Sequence, residues 1–239
     1  MDGDSTGITA LRQRRLLIMY KNLKITPIKN ILHLEASSQY ELASMFMRVQ
    51  EFYESPLPGI RENFFTLEQY MDAYAKEYGN FTYMVDWNGF NVPGHVVNNF
   101  FHTFKDDLLD KEKILLAGIE NAATGMDKFY LIGTHSDKDY SEHEIAHALW
   151  YLDEDYSADA LDVMSYIDPT TVKKMSDWLL NEGYTKHVIL DETNAYFSTD
   201  TPRELAERLE SEELPWNQIM PLHFLFHKYK ERYFNENPS

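Results

Sequence analysis

Apolar residues recur every three to four positions through most of the chain, a period that predicts amphipathic helices. The clearest case begins after Ser38 and stops at Pro56. Ser38 and Glu41 have the spacing of a capping box, in which two side chains bond the first free N–H groups of a helix. The apolar face of this helix comprises Leu42, Met45, Phe46 and Val49.

Similar start and stop signals predict four further helices. Two of them span residues 66–79 and 168–183, each ending at a glycine. The other two begin at a capping box headed by Thr201 and at Pro221. The chain is therefore expected to be mostly helical.

Four short runs rich in apolar and β-branched residues predict strands, and none shows the turn of a tight hairpin. Together with the helices they predict an α+β class, with a helix-rich fold around a small mixed sheet. Residues 86–94 have the strongest turn composition, which fits a loop over a site or, preferably, a plain connector. The predicted strands are residues 30–34, 81–87, 128–133 and 186–190.

Composition and charge narrow the class of protein. A chain of 239 residues with 44% hydrophobic residues can bury a core of its own. Its formal net charge of −17 opposes binding to nucleic acid or to an anionic membrane. The dense basic run at residues 12–15 stands alone, so neither partner is expected.

Cysteine is absent from the sequence, so any metal ligand must be His, Asp or Glu. A protein without disulfides fits the cytoplasm, although secretion is compatible with the same composition. No apolar stretch has the length of a membrane-spanning helix. We therefore expect a cytoplasmic protein.

His143, Glu144 and His147 form an HExxH pattern, the sequence feature with the most specific chemistry. Histidines four residues apart lie on one face of a helix, so both rings can bind a single tetrahedral metal ion. The glutamate after the first histidine projects toward the open position of the ion, where it can act as a general base toward water. The pattern therefore predicts a metal-dependent hydrolase site on a helix.

The same residues also allow a purely structural interpretation. Ser141 and Glu144 have the spacing of a capping box, in which Glu144 bonds backbone and the histidines stay partly exposed. Two features oppose this interpretation. Asp137 or Asp139 offers an earlier helix start, and a third metal ligand follows downstream at Glu192.

The HExxH motif with a downstream ExxA, here Glu192 to Ala195, resembles the gluzincin branch of the zincin metallopeptidases. The resemblance covers about residues 129–196 and implies a zincin-like core holding one Zn²⁺, with Glu144 as general base. It also implies a substrate lying along a sheet edge and two site helices packed closely at Ala195. The zinc ligands that it implies are His143, His147 and Glu192.

One position departs from that family. Its best-known members have an aspartate four residues after the ligand glutamate, where it orients the first histidine, and this chain has Tyr196. Another carboxylate is needed, because metal-bound histidines usually donate their second N–H to one. The candidates are Asp153, Asp155, Asp159 and Asp162. Asp153, Glu154 and Asp159 are also reserve metal ligands, although a solvated helix face is the preferred interpretation of this acidic run.

Amide hydrolysis also needs a hydrogen-bond donor for the negative charge that develops on the carbonyl oxygen. Four residues are chemically suitable, and the sequence does not choose among them. They are Tyr166, Tyr184, His187 and Tyr196. Residues 129–132 are expected to form a strand beside the active-site helix, where an extended substrate could pair.

A second histidine pair, His223 and His227, has the same spacing. Phe224 stands where a general base would be, and Lys230 follows on the same face, where its charge would repel a metal ion. We interpret this pair as the polar flank of the last helix. His135 is close in sequence to the motif and is expected in a loop.

Taken together, these features favour a zinc metallopeptidase acting on a peptide or protein, and the acidic surface favours basic or neutral substrates. Two alternatives stay open: a metal-containing binding or regulatory protein without activity, and an acidic interaction protein whose motif only caps a helix. Residues 19–239 would form a single catalytic domain, in which helical residues 38–120 shape or cover the cleft. Residues 1–18 fit an ordinary N-terminal arm or a disordered extension upstream of a second start site at Met19.

Overall fold

Residues 23–135 and 141–235 are described by the computed structural model of the chain. The predictions for residues 1–18 and for a helix start at Asp137 or Asp139 concern residues outside these ranges. The strands are β1 (Lys24–Ile28), β2 (Ile31–Ala36), β3 (Phe90–Pro93) and β4 (Tyr130–His135). The helices are α1 (Gln39–Glu54), α2 (Leu67–Tyr78), α3 (Tyr83–Asp86), α4 (Gly94–Thr103), α5 (Asp110–Ala122), α6 (Ser141–Leu152), α7 (Glu154–Met164), α8 (Pro169–Asn181), α9 (Ile189–Thr199), α10 (Pro202–Arg208) and α11 (Trp216–Asn235).

The four strands form one mixed sheet in the order β1-β2-β4-β3. β1 and β2 make a tight hairpin, in which Ile28 pairs with Ile31 and Lys29 adopts the left-handed conformation. β4 pairs in parallel with β2 and antiparallel with β3, which lies at the edge of the sheet. The predicted α+β class with a small mixed sheet is confirmed.

Most of the predicted helix starts agree with the structure. Ser38 caps α1 by accepting a hydrogen bond from the Glu41 N–H, but the Glu41 carboxylate bonds Ser37 instead of closing the box. Thr66 and Thr201 each head a complete capping box, at α2 and at α10. Local capping chemistry is therefore a reliable guide to these helix limits.

Two of the predicted strands are wrong, and two strands were missed. Residues 81–87 contain the short helix α3, because Tyr83 is buried among the rings of Tyr70 and Tyr74. Residues 186–190 run into α9, since a run of three apolar residues fits a helix start as well as a strand. The missed strands are β1 and β3, and the tight hairpin at β1 also contradicts the prediction.

The last helix begins five residues earlier than predicted, at Trp216, so that Pro221 lies inside it. The earlier start buries Ile219 in the same apolar cluster as Leu222. A proline inside a helix removes one backbone hydrogen bond. The apolar area buried by the extra turn offsets that loss.

The core consists of apolar clusters that anchor the elements around one cleft. The largest lies between the sheet and α1, where Leu34 and Phe46 are fully buried. Another cluster contains buried residues from each of the helices α7, α8, α9, α10 and α11. Phe197 on α9 and Leu222 on α11 belong to it. None of the helices in the described ranges combines the length and the hydropathy needed to cross a bilayer.

Candidate metal centre

The three predicted metal ligands converge on one point. His143 and His147 lie on α6, and Glu192 lies on α9. The two Nε2 atoms are 3.1 Å apart, and oxygens of the Glu192 carboxylate lie 3.6 Å from His143 Nε2 and 3.5 Å from His147 Nε2. Around a tetrahedral ion with bonds of about 2.0–2.1 Å, ligand atoms are separated by roughly 3.3–3.4 Å. The three side chains could therefore hold one metal ion.

Small residues allow the two ligand-bearing helices to approach each other. Ala146 on α6 and Ala195 on α9 are both fully buried in one cluster, together with Leu149 and Phe226. A larger side chain at either alanine would separate the helices and the ligands that they carry. The position of Ala195 agrees with the role expected from the ExxA pattern.

Asp191 supplies the carboxylate behind one of the ligand histidines, His147. Its Oδ1 is 2.9 Å from His147 Nδ1, while the other ring nitrogen of His147 faces Glu192. Burial lowers the pKa of His147, but the charges of Asp191 and Glu192 outweigh it and raise that pKa well above its ordinary value. Burial also opposes ionisation of Glu192, yet the two histidines lower its pKa to about 2. No local sequence signal identifies Asp191, because the contact joins α9 to α6.

None of the aspartates predicted for this supporting role pairs with a ligand histidine in the described ranges, so that prediction is wrong. They are Asp153, Asp155, Asp159 and Asp162. The Asp153 carboxylate caps α7 and pairs with Arg232, and that of Asp159 accepts a hydrogen bond from Tyr229. Glu154 is exposed at the start of α7. None of the reserve ligands belongs to the described ligand group, and the acidic run serves helix packing and solvation.

The Glu144 carboxylate lies beside the ligand histidines and is buried. Asn91 donates a hydrogen bond to it and accepts one from the Tyr130 hydroxyl at 2.5 Å. The Oε2 atom of Glu144 has no hydrogen-bond partner among the described residues. Gly89 leaves room for the carboxylate, because a Cβ at that position would lie 2.7 Å from Glu144 Oε1. Burial raises the pKa of Glu144 against the opposing effect of the histidines, the direction that suits a general base.

Two of the four predicted hydrogen-bond donors line the cleft, Tyr184 and Tyr196, and their hydroxyls are 3.2 Å apart. The Tyr196 ring also packs on His143, with 4.6 Å between ring centroids. Burial raises the pKa of Tyr184 well above its ordinary value and that of Tyr196 to about 12, so both hydroxyls keep their protons at neutral pH. Tyr166 is 73% exposed, and His187 does not line this cleft.

A cleft of about 510 Å³ opens beside the ligand group. One part of its wall is the edge strand β3, through Phe90 and Asn91. β4, where pairing with a substrate was predicted, is enclosed between β2 and β3. The edge available to a peptide is therefore that of β3. Within the segment 86–94, residues 86–91 form part of the cleft wall, so the segment is more than a plain connector.

Another part of the wall comes from α1, within the helical segment expected to shape the cleft. Gln50, Glu51 and Glu54 line it there. Burial raises the pKa of Glu51. Burial, reinforced by the charge of Glu192, raises the pKa of Glu54 to about 8. Sequence analysis missed these residues, because their spacing along α1 is that of an ordinary polar face.

The second histidine pair remains outside the candidate site, as predicted. His223 packs against the Trp216 ring, and His227 is exposed. His135 lies at the end of β4 and is buried, so its predicted loop position is wrong. Across the described ranges, only one set of three His, Asp or Glu side chains converges closely enough to hold a metal ion.

Comparison with known proteins finds no matching family model, no similar curated protein and no similar solved structure. The case for a function therefore rests on the residues of the site itself.

Proposed function

We propose that this protein is a zinc-dependent metallopeptidase. The observation that carries the proposal is the convergence of His143, His147 and Glu192, with the buried carboxylate of Glu144 beside them. Two imidazoles and one carboxylate are a common ligand set of catalytic zinc sites, which keep one position open. The resemblance of HExxH plus ExxA to the gluzincins supports the same choice of metal and reaction.

The residues of the site can divide the steps of amide hydrolysis among them. A zinc ion, when bound, would supply Lewis acidity toward a water molecule and the substrate carbonyl. Glu144 takes a proton from the attacking water and passes it to the departing amine, so that one water is added across the amide bond. The hydrogen bond from Asn91 holds the Glu144 carboxylate in position for both transfers, and the missing side chain at Gly89 leaves room for it.

Tyr184 and Tyr196 are suited to stabilise the charge that develops on the carbonyl oxygen. Both hydroxyls line the cleft and remain protonated at neutral pH, so either can donate a hydrogen bond. The open edge of β3 offers backbone groups to an extended peptide, which would bind as an added strand. A peptide or protein is therefore the substrate class that we favour.

The alternative of a metal protein without activity is less well supported. The main reason for it is the missing aspartate four residues after Glu192, and a carboxylate does face the second ligand histidine, since Asp191 Oδ1 is 2.9 Å from His147 Nδ1. A purely structural metal site has no need of a buried carboxylate with an unpartnered oxygen, as found at Glu144. A chance motif does not explain a third ligand at tetrahedral distances.

The test compares zinc-loaded wild-type protein with Glu144→Gln on a mixed peptide library, with cleavage products identified by mass spectrometry. We expect cleavage by the wild type and a loss of about 10²-fold or more in the variant, because the general base is removed. Zinc content should be unchanged, since Glu144 is not among the ligands. Glu154→Gln, at an exposed position on the next helix, is the matched control and should keep full activity. Wild-type protein that carries zinc and cleaves no peptide would contradict the proposal.

A further inference from the structure

The part of the cleft wall formed by Gln50, Glu51 and Glu54, here called the α1 wall, presents hydrogen-bond acceptors. Gln50 is only 7% exposed, and its Nε2 donates to Glu54 Oε1 at 2.7 Å. Its side-chain Oε1 is buried without a hydrogen-bond partner among the described residues. A buried acceptor that lines a cleft and lacks a partner indicates that a donor is to be supplied by a ligand.

Aromatic rings continue the site beyond the α1 wall. A hollow of about 120 Å³ shares Glu51 and Glu54 with the cleft and adjoins them. Its aromatic lining consists of Tyr74, Tyr78, Trp87 and Tyr184. Carboxylates next to aromatic faces are a favourable environment for an ammonium or guanidinium group, which is attracted to both.

The protein itself provides little positive charge for this wall. In the part of the chain that the structure describes, no ion pair joins Glu51 or Glu54 to a lysine, arginine or histidine. Arg208 is the one described lysine or arginine among the cleft-lining residues, and its guanidinium is 2.7 Å from Asp200. Ionisation of a buried or half-buried carboxyl group is costly when no cation lies near it, so a bound cation would favour the charged forms of Glu51 and Glu54.

We propose that the α1 wall is a substrate subsite that binds a cationic group, an ammonium or a guanidinium, close to the bond that is cut. The Glu54 and Glu51 carboxylates pair with the charge, and Gln50 Oε1 accepts one of its hydrogen bonds. The aromatic hollow receives the hydrocarbon stem that carries the group. This inference rests on the proposed function for its meaning as a specificity site, and it extends that function by naming the substrate class.

The subsite can be tested by binding, without relying on cleavage. The zinc-loaded Glu144→Gln protein is titrated calorimetrically with N-acetylated alanine pentapeptide amides that carry one lysine at each position in turn. Matched peptides carry norleucine, which has nearly the same stem and no charge. A pentaalanine amide with a free N-terminus forms a separate arm, in which the α-amine is the only cation.

We expect at least one lysine peptide, or the free-amine peptide, to bind about tenfold more tightly than its neutral counterpart. Adding Glu54→Gln or Glu51→Gln should abolish most of that preference, whereas Glu120→Gln, an exposed charge change on α5, should not. Preference for lysine alone identifies a side-chain subsite, and preference for the free amine alone identifies a terminal-amine subsite. Equal binding of charged and neutral peptides, or a preference that persists in both α1-wall variants, overturns the inference. Failure of the wild type to cleave any peptide would instead count against the proposed function.

Discussion

Glu144 owes its position to the absence of a side chain opposite it. A Cβ at Gly89 would lie 2.7 Å from Glu144 Oε1, closer than van der Waals contact permits. We therefore predict that Gly89→Ala displaces the carboxylate and lowers kcat/KM by about 10- to 100-fold, because a general base misplaced by an ångström loses much of its effect. Zinc content and melting temperature should stay close to those of the wild type. Full activity in Gly89→Ala would show that Glu144 tolerates displacement and is not the base.

Glu51 provides a prediction about stability and pH. Burial raises its pKa above the ordinary value of 4.5 in the folded state. As the pH rises through 4.5, the unfolded state ionises first, so wild-type stability falls until the folded pKa is passed. Glu51→Gln has no such loss. The melting temperature of the variant relative to wild type should therefore be more favourable at about pH 8 than at about pH 4.

Thermal unfolding of wild type and Glu51→Gln at the two pH values measures this difference, with both proteins freed of metal so that zinc release at low pH does not contribute. Glu120→Gln is the control, since its carboxylate is exposed and should give the same relative melting temperature at both. The melting temperature of Glu51→Gln relative to wild type could instead be the same at both pH values, or be less favourable at pH 8 than at pH 4. Either result would contradict burial of the Glu51 carboxyl as the cause.

At the scale of elements, the contact between α6 and α9 decides whether the ligands meet. Ala195 is fully buried between these helices, beside Ala146. We predict that Ala195→Leu destabilises the protein by about 1–3 kcal/mol through overpacking and also weakens zinc binding, because Glu192 is carried away from the histidines. Ala158→Leu, at an exposed position on α7, should change neither property. Unfolding by urea and a zinc titration of both variants measure the two effects, and unchanged zinc affinity in Ala195→Leu would contradict the argument.

Much of the element pattern could be predicted from the sequence, because caps and helical periods are local properties. Thr66 and Thr201 head helices as their capping boxes indicate. β3 could not be predicted, since its four residues are defined by pairing with β4 and follow a segment of turn composition. The strand predicted for residues 81–87 is wrong for a related reason. Aromatic packing around Tyr83 is a tertiary contact, and it favours a helical turn there.

The residues of the candidate site also fall into two groups, those that a local sequence pattern predicts and those that depend on tertiary packing. The spacing of His143 and His147 is local to one helix and could be predicted, and Glu192 was found through the ExxA pattern. Asp191 was missed, because which carboxylate faces His147 depends on the rotation of α9 against α6. Gln50 and Glu54 were missed because they reach the cleft from a helix far away in sequence. Tertiary packing, which no local pattern encodes, provides these contacts.

On the scale of the whole molecule, the metal centre collects negative charge in a chain whose net charge is already −17. Glu144, Asp191 and Glu192 are close to two imidazoles, and burial raises the pKa of the first two. A divalent cation at the ligand group would offset the repulsion among these carboxylates. Metal binding should therefore stabilise the folded state, in addition to supporting the proposed chemistry.

Metal analysis of the purified protein tests this account most directly. Wild-type protein prepared without chelators is dialysed against zinc, freed of excess ion and measured by inductively coupled plasma mass spectrometry beside His147→Ala, Glu192→Gln and Glu144→Gln. We predict about one zinc per chain for the wild type and for Glu144→Gln, and a large loss in the two ligand variants, because each removes one of three protein ligands. Wild-type protein that retains no zinc, or ligand variants that retain as much as the wild type, would contradict the central claim that His143, His147 and Glu192 bind the metal.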